Sequence, residues 1–131
     1  IDHSKKEVES LKEYTLDSYI NKELTSVKTI LDRYELNYIV IGDGDIIIDQ
    51  YPSKGNEVTV LDKIVLITNG KTKTMPSLIG LSSNQARIIL NYLGVKYKFE
   101  GTGYVTKQSI KEGTKIVGEE EVILTLEKKK I

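Results

Sequence analysis

The chain has 131 residues, of which 39% are hydrophobic and 29% charged, with no cysteine and a formal net charge of zero. Without cysteine there is no disulfide, no thiol nucleophile and no thiolate metal site, and a neutral chain has no overall nucleic-acid footprint. No apolar run approaches the length of a membrane span and no signal peptide is visible, so any membrane anchor or targeting segment would lie outside these residues.

The neutrality hides an asymmetry. Residues 1–70 hold 8 Lys+Arg and 13 Asp+Glu, a net of −5, and residues 71–131 hold 11 and 6, a net of +5. Halves of opposite sign attract each other or face different partners. Two solvated surfaces that differ by drift give the same numbers.

In chain order, residues 1–13 are polar and form a connector, and His3, near the terminus, is a solvated side chain. A first unit covers residues 14–70. Val27, Ile30, Leu31 and Tyr34 recur at i, i+3, i+4, i+7 and predict a helix with one apolar stripe. Asn21, Thr25 and Ser26 are alternative caps for it. Leu36 to Ile41 and Ile46 to Ile48 read as strands on either side of the Gly42-Asp43-Gly44-Asp45 turn. Pro52 to Asn56 is a β-turn. Val58 to Val60 and Ile64 to Thr68 complete the strand material, and Asn69-Gly70 ends the unit.

After a short link at Lys71-Thr72-Lys73-Thr74, the second unit, within residues 71–131, repeats this order. Met75 to Gly80 is an extended lead. Ser82 and Gln85 have the spacing of a capping box. Ala86, Ile89, Leu90 and Leu93 form the apolar stripe, and Gly94 is placed to end the helix in left-handed conformation. Val95 to Phe99 alternates as a half-buried strand, and Tyr104 to Gln108 is the next. Ile116-Val117 and Val122 to Leu126 are the last strands, ahead of the basic tail Lys128-Lys129-Lys130.

The alignment of Gly42-Asp43-Gly44 and Gln50 with Gly101-Thr102-Gly103 and Gln108 defines an internal repeat of about 58 residues. The spacing differs by one residue between the second glycine and the glutamine. The predicted fold class is therefore α+β: two tandem small domains, each with one helix packed on a three-stranded antiparallel sheet, which buries both apolar faces. A unit of about 60 residues is marginal alone, so the two are expected to support each other.

The chemistry-bearing residues give no catalytic constellation. Asp43, Asp45 and Asp49 surround Gly44 but miss the order of a calcium loop, so a solvated turn is the favoured reading and no metal is expected. Gly-x-Gly at 42–44 and 101–103 lacks the third glycine and the following helix of a dinucleotide fingerprint. No cofactor is implied.

The second copy resembles PASTA domains, the extracytoplasmic repeats of bacterial penicillin-binding proteins and serine/threonine kinases. The resemblance rests on Met75-Pro76-Ser77-Leu78-Ile79-Gly80, on Ala86 and Leu90 in the helix, on Gly94-Val95 after it, on Val105 and Gln108 in the central strand, and on Gly113-Thr114. The first copy departs from the pattern at Asp17, Asn21 and Glu35, where the family has Pro, Gly and Gly, but matches it at Gln50-Tyr51-Pro52-Ser53-Lys54-Gly55.

The resemblance implies a non-catalytic, cell-envelope module whose parent is anchored in the plasma membrane. Its implied partners are peptidoglycan or muropeptide, the transpeptidase domain of the same chain, and division or sporulation proteins, with no nucleic acid. A pair of copies is similar to the C-terminal pair of a class B penicillin-binding protein; the alternative is the muropeptide-sensing ectodomain of a transmembrane kinase. The S-x-x-K, S-D-N and K-T-G motifs of a transpeptidase are absent, and Lys71-Thr72-Lys73 lacks the glycine, so this chain is not expected to be an enzyme although its parent is. An excess of Lys over Arg, 17 to 2, fits a low-GC Gram-positive source.

Arg87, Tyr104, Lys107 and Gln108 are the candidate ligand-binding residues. All four belong to the basic copy. Arg87 offers a fork for a stem-peptide carboxylate, and tyrosine offers a face for a sugar ring. The bland alternatives are an ordinary exposed arginine on a polar helix face and a glutamine that satisfies backbone groups at the turn.

Overall fold

The structure is a computed structural model and describes residues 11–70 and 73–128. The connector through residue 10 with His3, Lys71-Thr72 of the link and the last lysines of the tail lie outside the described residues. The chain forms two compact units, and the division falls between Asn69 and Gly70.

The first unit runs β1 (Tyr14–Thr15), α1 (Leu24–Arg33), β2 (Asn37–Ile41), β3 (Ile47–Tyr51), β4 (Glu57–Val58) and β5 (Lys63–Thr68). β1 pairs with β4, and the three-stranded sheet has the order β2-β5-β3, with β3 antiparallel to β5. Its core is Leu16, Tyr19, Val27, Leu31, Leu36, Ile47, Val58, Ile64 and Leu66. The second unit contains α2 (Ser83–Leu93), β6 (Lys96–Gly101), β7 (Tyr104–Gln108) and β8 (Glu121–Glu127), with strand order β6-β8-β7. Its buried apolar residues include Met75, Leu78, Leu81, Ala86, Ile89, Leu90, Leu93, Val105, Val122, Leu124 and Leu126.

One helix and a three-stranded sheet per unit match the sequence reading, but the second sheet is mixed. β6 runs parallel to β8, while β7 runs antiparallel to it. The reason is at Gly101 and Gly103. Consecutive strands β6 and β7 flank an empty slot, and the last strand fills it, so that strand must run parallel to one of its neighbours. The connection therefore passes close over the end of β8. A Cβ on Gly101 would overlap the carbonyl oxygen of Leu126, and one on Gly103 that of Glu127. Both glycines also have positive φ, +93° and +112°, which costs glycine nothing.

The helix ends show the repeat with different residues. At α1, Glu35 N–H donates to Asp32 O and Leu36 N–H to Leu31 O; at α2, Gly94 N–H donates to Asn91 O and Val95 N–H to Leu90 O. Both are Schellman closures, with the following apolar residue folded back on the helix. The left-handed residue is Glu35 in one (φ 59°) and Gly94 in the other (φ 74°). Asn21 (φ 71°) and Gly80 (φ 86°) form a second such pair.

The helix starts differ. Ser82 and Gln85 make the expected capping box. None of Asn21, Thr25 and Ser26 caps α1: the N-cap is Glu23, which makes no side-chain cap, and Leu24 N–H instead donates to the carbonyl of Asp45 (2.8 Å). The stripe of α2 is fully buried, whereas in α1 only Val27 and Leu31 are; Ile30 is 37% exposed and Tyr34 44%. Ile116-Val117 is not a strand, because the Glu120 carboxylate accepts from Val117 N–H (2.7 Å) and Gly118 N–H (2.8 Å) and closes a turn there.

Candidate ligand-binding surface

Each unit is closed by one glutamine. Gln50 Oε1 accepts from Tyr19 N–H (2.6 Å), and its Nε2 donates to the carbonyls of Asp17 (3.0 Å) and Pro52 (3.1 Å). Gln108 Oε1 accepts from Leu78 N–H (2.8 Å), and its Nε2 donates to the carbonyls of Pro76 (3.0 Å) and Ile110 (2.8 Å). In both units the side chain joins the extended lead to the strand and to the turn that follows it. An amide suits this task because it has an acceptor and two donors on one planar group. Main-chain pairs reinforce the closure: Leu16 with Asn56 and Gly55 in the first unit, Met75 with Thr114 and Gly113 in the second.

A β-bulge aims the glutamines inward. The register shifts between Ile47 and Asp49 and between Val105 and Lys107, so that Ile48 and Thr106 are the extra residues. Inward positions then fall three apart, at Val105 and Gln108. Tyr104 and Lys107 lie opposite Glu127 and Thr125, on the face of the sheet away from buried Leu124 and Leu126.

The four candidate residues are thus not one cluster. Tyr104 and Lys107 share the outer face of the second sheet, and Tyr104 is 40% exposed. Arg87 is on the helix side, where its guanidinium lies over the Phe99 ring (5.3 Å) and donates to Asn84 Oδ1 (2.8 Å). Gln108 points inward and spends its amide on backbone groups.

Tyr104 lines an open groove of about 470 Å³ with Ile79, Gly80, Val105, Thr106, Glu127 and Lys128. The groove is mainly apolar, with a charged rim at Glu127 and Lys128. Thr106 hydroxyl donates to Glu127 Oε2 (2.7 Å) across it. Sequence reasoning missed Ile79, Thr106 and Glu127: Glu127 is the register partner of Tyr104, the Gly80–Val105 bond brings the lead alongside, and Thr106 is the bulge residue. It also missed a cleft of about 230 Å³ in the first unit, between the lead and α1, lined by Tyr14, Asp17, Tyr19, Ile30, Tyr34 and Leu36 among others. Tyrosine in place of leucine at the end of the α1 stripe was the available signal.

Hydrogen bonding to Val117 N–H, more than to any other group, holds the Glu120 carboxyl below its ordinary value. Glu13 is pushed up by its hydrogen bond to Glu57 and by that group's charge. Burial raises the Tyr19 and Tyr38 phenols. Among the described residues, no three His, Cys, Asp or Glu side chains gather in a metal-ligating group, and no buried side-chain nitrogen or oxygen lacks a hydrogen-bond partner. No helix there is long and apolar enough to cross a membrane.

These features define a class: a tandem pair of small α+β modules, each closed by one glutamine committed to backbone groups. The PASTA domain model matches residues 14–70 and 73–128, and the chain belongs to that family. Among curated proteins no sequence matches. Of solved structures, penicillin-binding protein 2X from Streptococcus thermophilus is similar at 23% identity and TM-score 0.76, over 88% of this chain and 17% of that one. A three-PASTA-domain structure of a Ser/Thr kinase from Staphylococcus aureus is 22% identical with TM-score 0.34, over 88% of this chain and 67% of that one. The extracellular region of the Ser/Thr kinase PrkC from Staphylococcus aureus is 18% identical with TM-score 0.37, over 90% and 48%. The chain thus spans about one sixth of the length of the penicillin-binding protein it resembles in fold.

Proposed function

We propose that the chain is the non-catalytic, extracytoplasmic accessory module of a penicillin-binding protein in peptidoglycan synthesis. It packs on the transpeptidase domain or on division or sporulation partners, and binds peptidoglycan weakly through the second unit. The observation that carries this reading is the pair of glutamine clamps in a chain of PASTA domains: the interior polar groups maintain the fold, and the residues left over are surface ones. The fold likeness to penicillin-binding protein 2X supports the choice of parent.

Within the second unit, Tyr104 supplies a ring face beside Ile79, and Lys107 supplies a positive charge on the same side of the sheet. A stem peptide offers the complementary carboxylates. Affinity from one ring and one exposed charge is expected in the millimolar range, about −4 kcal/mol. The test is co-sedimentation of the chain with purified peptidoglycan, together with labelling by a fluorescent penicillin. Reversible co-sedimentation that Tyr104→Ala and Lys107→Glu both reduce, without covalent labelling, is the expected result. Covalent labelling, or co-sedimentation indifferent to both substitutions, overturns it.

A further inference from the structure

The two units treat one place in the fold differently. In the second, Lys73 sits in the lead, and its ammonium lies over the Tyr92 ring (4.9 Å) while donating to the Tyr92 carbonyl (3.3 Å) at the end of α2. The matching lead position in the first unit is Tyr14. Tyr14 pairs with Val58 in β1–β4, and Lys73 O accepts from Ile116 N–H at the corresponding point. Tyr14 packs on Tyr34 at the end of α1, with ring centroids 5.0 Å apart and planes tilted by 46°. The second unit therefore fills its lead–helix junction with an ammonium of its own, and the first unit has aromatic rings there and an open cleft.

We propose that this cleft binds the ammonium of a lysine-type side chain carried on a short peptide. Three features suit that ligand. The rings of Tyr14 and Tyr34 line the cleft, and an aromatic face attracts a cation. Asp17 lines the same cleft, and the carboxyl end of α1 adds the negative pole of the helix. Ile30, Leu31 and Leu36 line the rest and offer apolar contact to a four-carbon stem. The surroundings are acidic on balance, with Arg33 in the last turn of α1 as the opposing charge. Glu13, next to Tyr14, shares a hydrogen bond with Glu57, and residues 1–70 carry a net −5. A volume of about 230 Å³ admits one side chain and not a folded partner. The proposal concerns the first unit alone and does not depend on the reading of the second.

The test is an NMR titration of the ¹⁵N-labelled chain with two peptides. One is a linear L-peptide with a single lysine; the other is a stem-type peptide with a lysine and a D-alanine terminus. Each is also used in its Nε-acetylated form, which keeps the shape and removes the charge. Shifts at Tyr14, Ile30, Tyr34 and Leu36 that saturate below about 10 mM, and are lost on acetylation, are expected with at least one peptide. The better of the two identifies the source of the ammonium. Asp17→Asn and Tyr34→Ala, both at exposed positions, are expected to weaken binding about fivefold each with an otherwise unchanged spectrum. Arg87→Ala is expected to leave it unaltered. Absence of shifts in the cleft with both peptides, or equal shifts with the acetylated forms, overturns the proposal. Shifts with the stem-type peptide confined to Tyr104 and Lys107 would do so while leaving the second-unit reading intact.

Discussion

Gln50 and Gln108 show how much one side chain can do. Each replaces water for one amide and one carbonyl of the lead segment and for one carbonyl of the turn after the strand. Truncation leaves these groups without a bond, and unsatisfied buried groups cost about 1–3 kcal/mol each. Gln50→Ala and Gln108→Ala are each expected to lower stability in urea by about 2–4 kcal/mol. A loss below about 0.5 kcal/mol would show that water substitutes for the amide. Asn21 and Glu35 are the inverse case. They are the non-glycine residues with positive φ among the described residues, at positions where the second unit has Gly80 and Gly94. Side chains there cost about 1–2 kcal/mol in general and less for asparagine. Glu35→Gly is expected to raise the denaturation midpoint, by about 1 kcal/mol, and Asn21→Gly to change it less. A drop with Glu35→Gly would contradict the strain argument. Glu120 gives a pH signature. Its carboxyl is depressed in the folded chain, so its contribution is present above the ordinary glutamate range and is lost as pH falls through the depressed folded value. The amides of Val117 and Gly118 are expected to titrate below that ordinary range, and to lose the transition in Glu120→Gln.

At the scale of elements, the connection between β6 and β7 is the most constrained part of the second unit. Gly103 needs a positive φ and also needs no Cβ, because the Glu127 carbonyl occupies that space. Gly94 needs only the first, since a Cβ there meets nothing. Gly103→Ala is therefore expected to cost more than Gly94→Ala, about 3 kcal/mol or more against about 1. Equal costs, measured by thermal or urea unfolding, would mean that the end of β8 yields easily. The two helices differ in the same instructive way. α2 carries its own cap, while α1 borrows the carbonyl of Asp45. That loop carbonyl has no sequence pattern, so the start of α1 was not legible where the start of α2 was.

For the whole molecule, what the sequence revealed was what repeats. The helix, the strand order along the chain and the pair of glutamines were legible because period, glycine and spacing recur. One apolar helical stripe followed by strand runs in each copy carried the fold class. Strand direction was not legible, because hydrophobic alternation is the same in parallel and antiparallel neighbours; only the crossing at Gly101 and Gly103 reveals it. The candidate site was legible in part. Tyr104 and Lys107 do share a face, but Gln108 turns inward because of the bulge residue Thr106, and Arg87 lies on the helix side because it belongs to α2. The Tyr14–Tyr34 cleft was hidden because the stripe of α1 looked as complete as that of α2, and burial depends on what packs against a stripe as well as on its period.

The central proposal is that this chain recognises and does not react, and that its second unit presents the recognising surface on the outer side of its sheet. The most direct measurement is an amide shift map of the labelled chain during titration with an uncrosslinked muropeptide. The expected result is a set of shifts centred on Tyr104, Thr106 and Lys107, reversible on dilution, with the muropeptide recovered unchanged. Shifts centred on Arg87 and Asn84 with none on β7, or a muropeptide altered by the chain, would contradict it.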